Sequence, residues 1–167
     1  EVDNDYSEDY FYSKGLNGLK VTAAHEFHHA IQYGYNYRYE DRYFFEMTST
    51  WMEEYIYPDI NDYLNYLDYF FDVVSNSRFD IVYDTYPYAN SIYLQMLESK
   101  FGPSIVKSIW EKMRGETSLS AIVSTLESND QSWVQSLNEY GLWLYYTGQR
   151  AIPDKFFTDA AYFPEIF

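Results

Sequence analysis

The sequence predicts a mainly α-helical domain with at most a small N-terminal β element, and three observations carry that reading. Long proline-free stretches repeat apolar residues at three- and four-residue spacing, the period of a helix with one buried face. Gly, Pro or Asn and Asp punctuate the ends of those stretches. Aromatic residues make up 22% of the chain, with 21 Tyr, 12 Phe and 4 Trp, which a disordered acidic chain would lack. At 167 residues the whole of 1–167 reads as one domain with one core.

Taken in order, residues 1–14 interleave acids with Tyr6, Tyr10, Phe11 and Tyr12 and read as an edge strand followed by a loop. Leu19 to Tyr35 is the first strong helix, with Leu19, Ala23, Phe27, Ala30, Ile31 and Gly34 as its expected buried face. A second helix runs from Tyr43 to Tyr57 and stops before Pro58. A third starts after the capping candidates Asn61 and Asp62 and continues to Val74. Ser75 to Pro87 suits a loop with at most one short strand around Phe79, Ile81 and Val82. Helices are expected again over Tyr88–Phe101, Ile105–Met113 (with Pro103 placed as a first helical residue), Thr117–Leu126 and Asp130–Tyr146. Pro153 to Phe167 reads as an aromatic tail against the body, with one short helix.

Charge and composition exclude several functions. Eleven Lys plus Arg against 26 Asp plus Glu give −15, which repels phosphate backbones and anionic lipid head groups. Nucleic acid and membrane surfaces are therefore not expected partners, and no apolar run is long enough to span a bilayer. The absence of cysteine removes disulfides, thiolate zinc sites and a Cys nucleophile, leaving His and carboxylates as the strong metal ligands. Opening at Glu1 without Met is expected of a mature, processed protein or of an excerpt from a longer one, and is compatible with export.

All three histidines fall within five positions, His25-Glu26-Phe27-His28-His29, which contain the pattern His-Glu-x-x-His. On a helix His25 and His29 lie about 40° apart and can reach one ion, with Glu26 about 80° to one side. That placement suits zinc, which takes neutral imidazoles and lowers the pKa of a bound water to about 7, so that a neighbouring carboxylate can take the proton. His28 falls on the other side, as a rim or exposed residue or as a spare ligand in an i, i+3 pairing with His25, and Gln32 returns to the zinc face, where it can orient a ligand or line the cleft.

A catalytic zinc wants a third protein ligand, and with no other His or Cys it must be a carboxylate. Glu40, Asp41, Glu46, Glu53 and Glu54 are nearest in sequence. A ligand reaching back from the next helix needs a turn first, and residues 36–42 supply it. Glu46 then shares a face with Ser49 or Thr50 and with Glu53, so Glu46 is expected at the metal, with Glu53 or Thr50 holding the histidines from behind.

His25-Glu26-Phe27-His28-His29-Ala30-Ile31-Gln32, followed by Glu46-Met47-Thr48-Ser49-Thr50-Trp51, resembles the gluzincin zinc metallopeptidases, and more narrowly a group of secreted bacterial and archaeal metallopeptidase-like proteins. The resemblance implies a zincin-like α+β domain around an active-site helix and a glutamate helix. It implies one Zn2+ per chain on His25, His29 and Glu46, with Glu26 as general base, a peptide or protein substrate, and an extracellular or cell-surface location. The thermolysin-type glutamate helix has Asn before the ligand and Asp four places after, where this chain has Phe45 and Thr50. Several gluzincins carry an oxyanion-stabilising Tyr three residues before a Gly or Ala that starts a helix, which maps to Tyr86 before Ala89, with Tyr88 as the alternative.

Two other readings stay open. One is a non-catalytic module that binds a polymer through its aromatic surface. The other is a calcium-stabilised extracellular domain: Asp3 to Asp9 alternates oxygen ligands, although Glu8 and Lys14 occupy the positions where an EF-hand needs Gly and Glu, so only a looser Ca2+ site fits.

Overall fold

The strongest predicted helix becomes α1 (Gly15–Gln32), and the glutamate-bearing segment becomes α2 (Arg42–Ile56). The structure, a computed structural model, describes residues 3–73 and 85–166. After α2 the chain makes a 3₁₀ turn over Asp62–Tyr66 and then α3 (Leu67–Val73), α4 (Tyr86–Ala89), α5 (Ser91–Phe101), α6 (Ser104–Lys112), α7 (Ser118–Glu127) and α8 (Trp133–Tyr145). No strand occurs among the described residues. The short strand expected around Phe79, Ile81 and Val82 lies outside them.

The core is built on α2. Phe44, Met47 and Trp51 face inward and pack with Ile92, Leu94, Met96 and Leu97 of α5, while α6 joins α5 to α7 and α8 closes the far side. Thr117 caps α7 and a Ser132–Gln135 capping box starts α8, three residues later than the sequence suggests. The expected aromatic tail is present: Phe157 and Phe163 are buried, and Phe157 meets Trp143 at 4.9 Å. No described helix is long and apolar enough to cross a membrane.

Four expectations change. Residues 3–14 form turns rather than an edge strand, because the Asp3 carboxylate accepts the backbone N–H groups of Asp5 and Tyr6 and turns the chain. Asn61 and Asp62 do not cap a helix through their side chains: Asn61 takes a left-handed conformation (φ 56°), and Asp62 instead accepts the backbone N–H of Ser13. The single helix expected over Tyr88–Phe101 is divided at Asn90, and Pro103 sits one residue before α6.

The fourth change concerns α1. Its buried face is Gly18, Val21, Ala24, His28 and Gln32, whereas Leu19, Phe27 and Ile31 are exposed, as are Ala23, Ala30 and Gly34. The apolar stripe faces away from the core. The polar stripe faces inward because α2 presents Thr48, Ser49, Glu46 and Glu53, which hydrogen-bond His25, His28 and the Gln32 amide of α1. Gly18 lets the N-terminal turn cross α1, since a Cβ there would meet Ser13 O at 2.6 Å and Tyr6 Cδ1 at 2.7 Å.

Candidate metal centre

Helices α1 and α2 lie side by side, so residues one turn apart on α1 face residues one or two turns apart on α2. His25 Nε2 stands 3.1 Å from Glu46 Oε2, and His29 Nε2 stands 3.5 Å from the same oxygen. The three donor atoms lie within 4.8 Å of one another. A tetrahedral ion with bonds of about 2.0–2.1 Å holds its donors about 3.4 Å apart, so the spacing of this His–Glu–His set fits such an ion.

The reverse sides of both imidazoles are fixed. His25 Nδ1 donates to Glu53 Oε1 at 2.5 Å, and His29 Nδ1 donates to Gln32 Oε1 at 2.7 Å. The Gln32 orientation follows from its surroundings: its Nε2 faces Phe45 O, Thr48 Oγ1, Ser49 Oγ and His28 Nδ1 at 2.8–3.0 Å, all acceptors, leaving its oxygen for His29. With an ion bound, both imidazoles would keep their proton on Nδ1 and offer Nε2 to it; without one, His25 Nε2 also donates to Glu46.

Electrostatics agree with that arrangement. Burial disfavours a charged His25, yet its hydrogen bonds to Glu46 and Glu53 outweigh burial and hold the imidazole up at about 9. Burial pushes Glu46 the other way, and the two histidines hold its carboxyl down at about 2. A cation bound among these groups displaces the imidazole proton. Glu53 is raised by its burial, against the pull of His25.

The remaining expected residues divide. Glu26 is exposed on α1 beside the histidine face, and its charge reaches Tyr88. Glu53, one of the two candidates to hold the histidines, does so. Thr50 does not, because its hydroxyl is buried without a hydrogen-bond partner. His28 is not at a rim. It is buried in the α1–α2 seam, accepting from Gln32, and burial followed by its histidine neighbours pushes its pKa down to about 4. Asp41, weighed as a ligand, instead accepts the backbone N–H and hydroxyl of Ser118.

Tyr86 is not at the centre. It opens α4 with its ring packed 5.3 Å from Phe70 and its hydroxyl buried without a partner. Two residues on, about 200° around the helix, Tyr88 stacks on His25 at 5.8 Å, with the Glu46 carboxylate near its phenol. Burial, then the Glu46 carboxylate, raises the Tyr88 phenol. Tyr66, 5.0 Å from Tyr88, completes this wall. Nothing in the sequence separates Tyr66 from the other tyrosines, since its place depends on the 3₁₀ turn.

Asp3, Asp5 and Glu8 also bring carboxylate oxygens within 4.8 Å of one another, but this is an exposed turn in which Asp3 and Asp5 already accept backbone N–H groups.

No curated protein and no solved structure gives a significant match to the chain. Residues 13–142 match the sequence profile of DUF6055, a family of unknown function, and that stretch contains His25, Glu26, His29, Glu46, Glu53 and Tyr88. With most of its length and the whole candidate centre inside the match, the chain belongs to the DUF6055 family.

Proposed function

We propose that this protein is a zinc-dependent peptidase, in keeping with the gluzincin resemblance of its two motifs. The observation that carries the reading is the pair of 3.1 and 3.5 Å separations between the histidine Nε2 atoms and Glu46, made by imidazoles whose other nitrogens are tied to Glu53 and Gln32. His25, His29 and Glu46 would hold the ion. When bound, zinc supplies Lewis acidity, lowering the pKa of water and polarising a carbonyl.

The protein's own groups do the rest. Glu26, exposed on α1 beside the histidines, takes the proton of the attacking water and returns it to the departing amine. Tyr88 is the donor placed to stabilise the carbonyl oxygen as it becomes negative. Its ring is already stacked on His25, and burial and the Glu46 carboxylate raise its phenol and keep it protonated.

Metal analysis of protein purified without chelator tests the reading. One zinc per chain is expected, with anomalous scattering between His25, His29 and Glu46. A metal-free protein that takes up no zinc on titration, or an ion held by Glu53 in place of Glu46, counts against it. Tyr88→Phe is expected to lower kcat by about 10²–10³-fold with zinc content and KM little changed. Tyr86→Phe is expected to leave turnover at the parental level, because that hydroxyl lies in the core.

A further inference from the structure

A cavity lies one turn along α1 from the candidate centre. The N-terminal turn, α1 and the 3₁₀ turn at Asp62–Tyr66 enclose about 180 Å³, walled by Phe11, Tyr12, Thr22, Asp62, Asn65 and Tyr66 among others. Its position relative to the histidines follows from helix geometry. Gly18, Thr22, His25 and His29 succeed one another at four- and three-residue spacing along one side of α1, and Thr22 lies about 4.5 Å along the axis from His25. On the opposite wall Tyr66 touches Tyr88, which stacks on His25. A side chain next to a scissile bond held at the centre is within reach of this space.

The lining defines what fits there. Among the described residues no lysine, arginine or histidine lines it, and Asp62 stands in its wall. Asp62 is held in place by the Ser13 backbone N–H at 3.1 Å, and its charge reaches both Glu53 and Tyr66. The rings of Phe11, Tyr12 and Tyr66 give the cavity aromatic sides. An apolar cavity of about 150 Å³ accommodates a benzene-sized group, so this volume suits one side chain. Aromatic faces with a carboxylate beside them attract a cation, and a planar guanidinium can both stack on a ring and donate two hydrogen bonds to a carboxylate. The chain's net charge of −15 favours approach of a basic peptide over an acidic one.

We propose that this cavity is a substrate subsite that takes the side chain of an arginine in a peptide, with the guanidinium paired to Asp62 and laid against the aromatic walls. As a substrate subsite it rests on the peptidase reading; as a binding site for an arginine side chain it does not.

The test is a binding measurement on the full chain carrying Glu26→Gln, which holds peptides without turning them over. Two otherwise identical acetylated, amidated pentapeptides are titrated, Ala-Ala-Arg-Ala-Ala and the same peptide with citrulline, the neutral isostere, in place of arginine. The arginine peptide is expected to bind about tenfold tighter, with amide shifts at Ser13 and Asp62, and the advantage to shrink as salt is raised. Asp62→Asn retains an oxygen for the Ser13 N–H and is expected to bring the two peptides within about twofold of each other. Equal binding of the two peptides, or a preference that survives Asp62→Asn, overturns the proposal. If that variant does not fold, the arginine–citrulline comparison decides alone. If the Glu26→Gln variant discriminates arginine but the zinc-loaded parental chain hydrolyses no peptide, the peptidase reading is refuted and the subsite stands. Hydrolysis without arginine preference does the reverse.

Discussion

Glu26→Gln is expected to lower peptide hydrolysis by at least the 10²–10⁴-fold that a positioned general base typically contributes, with zinc occupancy unchanged. The amide keeps the side chain's shape and cannot accept a proton from water. Metal binding is spared because Glu26 is not among the three donors that cluster within 4.8 Å. Hydrolysis rates at saturating zinc, read beside metal content of the same samples, check both halves. A Gln variant with parental turnover removes Glu26 from the mechanism. A variant that loses zinc along with activity makes Glu26 a ligand.

Loss of metal is the second large effect, and its ranking separates Glu46 from Glu53. His29→Ala and Glu46→Gln each remove one of three expected ligands, so zinc affinity is expected to fall by more than the roughly 10–100-fold that losing an outer hydrogen-bond partner costs. Glu53→Gln should stay within that 10–100-fold range, because the amide oxygen can still accept from His25 Nδ1 while the added basicity of a carboxylate is lost. Zinc competition against a chromophoric chelator gives the order directly. If Glu53→Gln costs as much as Glu46→Gln, the ligand and its supporting carboxylate have been exchanged.

Local pattern explains why part of the centre can be read from the chain alone. His25 and His29 are four residues apart in a proline-free stretch, so any helix there brings them to one side, whatever lies around it. Glu46 follows from the absence of Cys and of further His together with the turn that precedes it, again a local argument. The helical class is local too: periodicity and punctuation place the starts expected at Thr117 and Asp130 within a few residues of the observed starts at Ser118 and Trp133.

What only the tertiary structure decided is which of several locally equivalent choices its neighbours reward. On α1 the apolar stripe through Leu19, Phe27 and Ile31 and the polar stripe through His28 and Gln32 are both periodic. The polar one is buried because α2 supplies Thr48, Ser49 and Glu53 as partners, and no periodicity in α1 carries that information. Tyr86 and Tyr88 lie on one short helix, and its rotation against Phe70 sends the first into the core and the second to His25. Asp62 reads as a helix cap until Ser13, 49 residues away in sequence, offers the backbone N–H that holds it beside the cavity. In each case the deciding interaction is a hydrogen bond or ring contact made with another segment of the chain; for Gln32 and His28 it forms because a buried polar group without a partner costs about 1–3 kcal/mol, and for Tyr86 it is apolar ring packing that prevails although the hydroxyl is left without a partner.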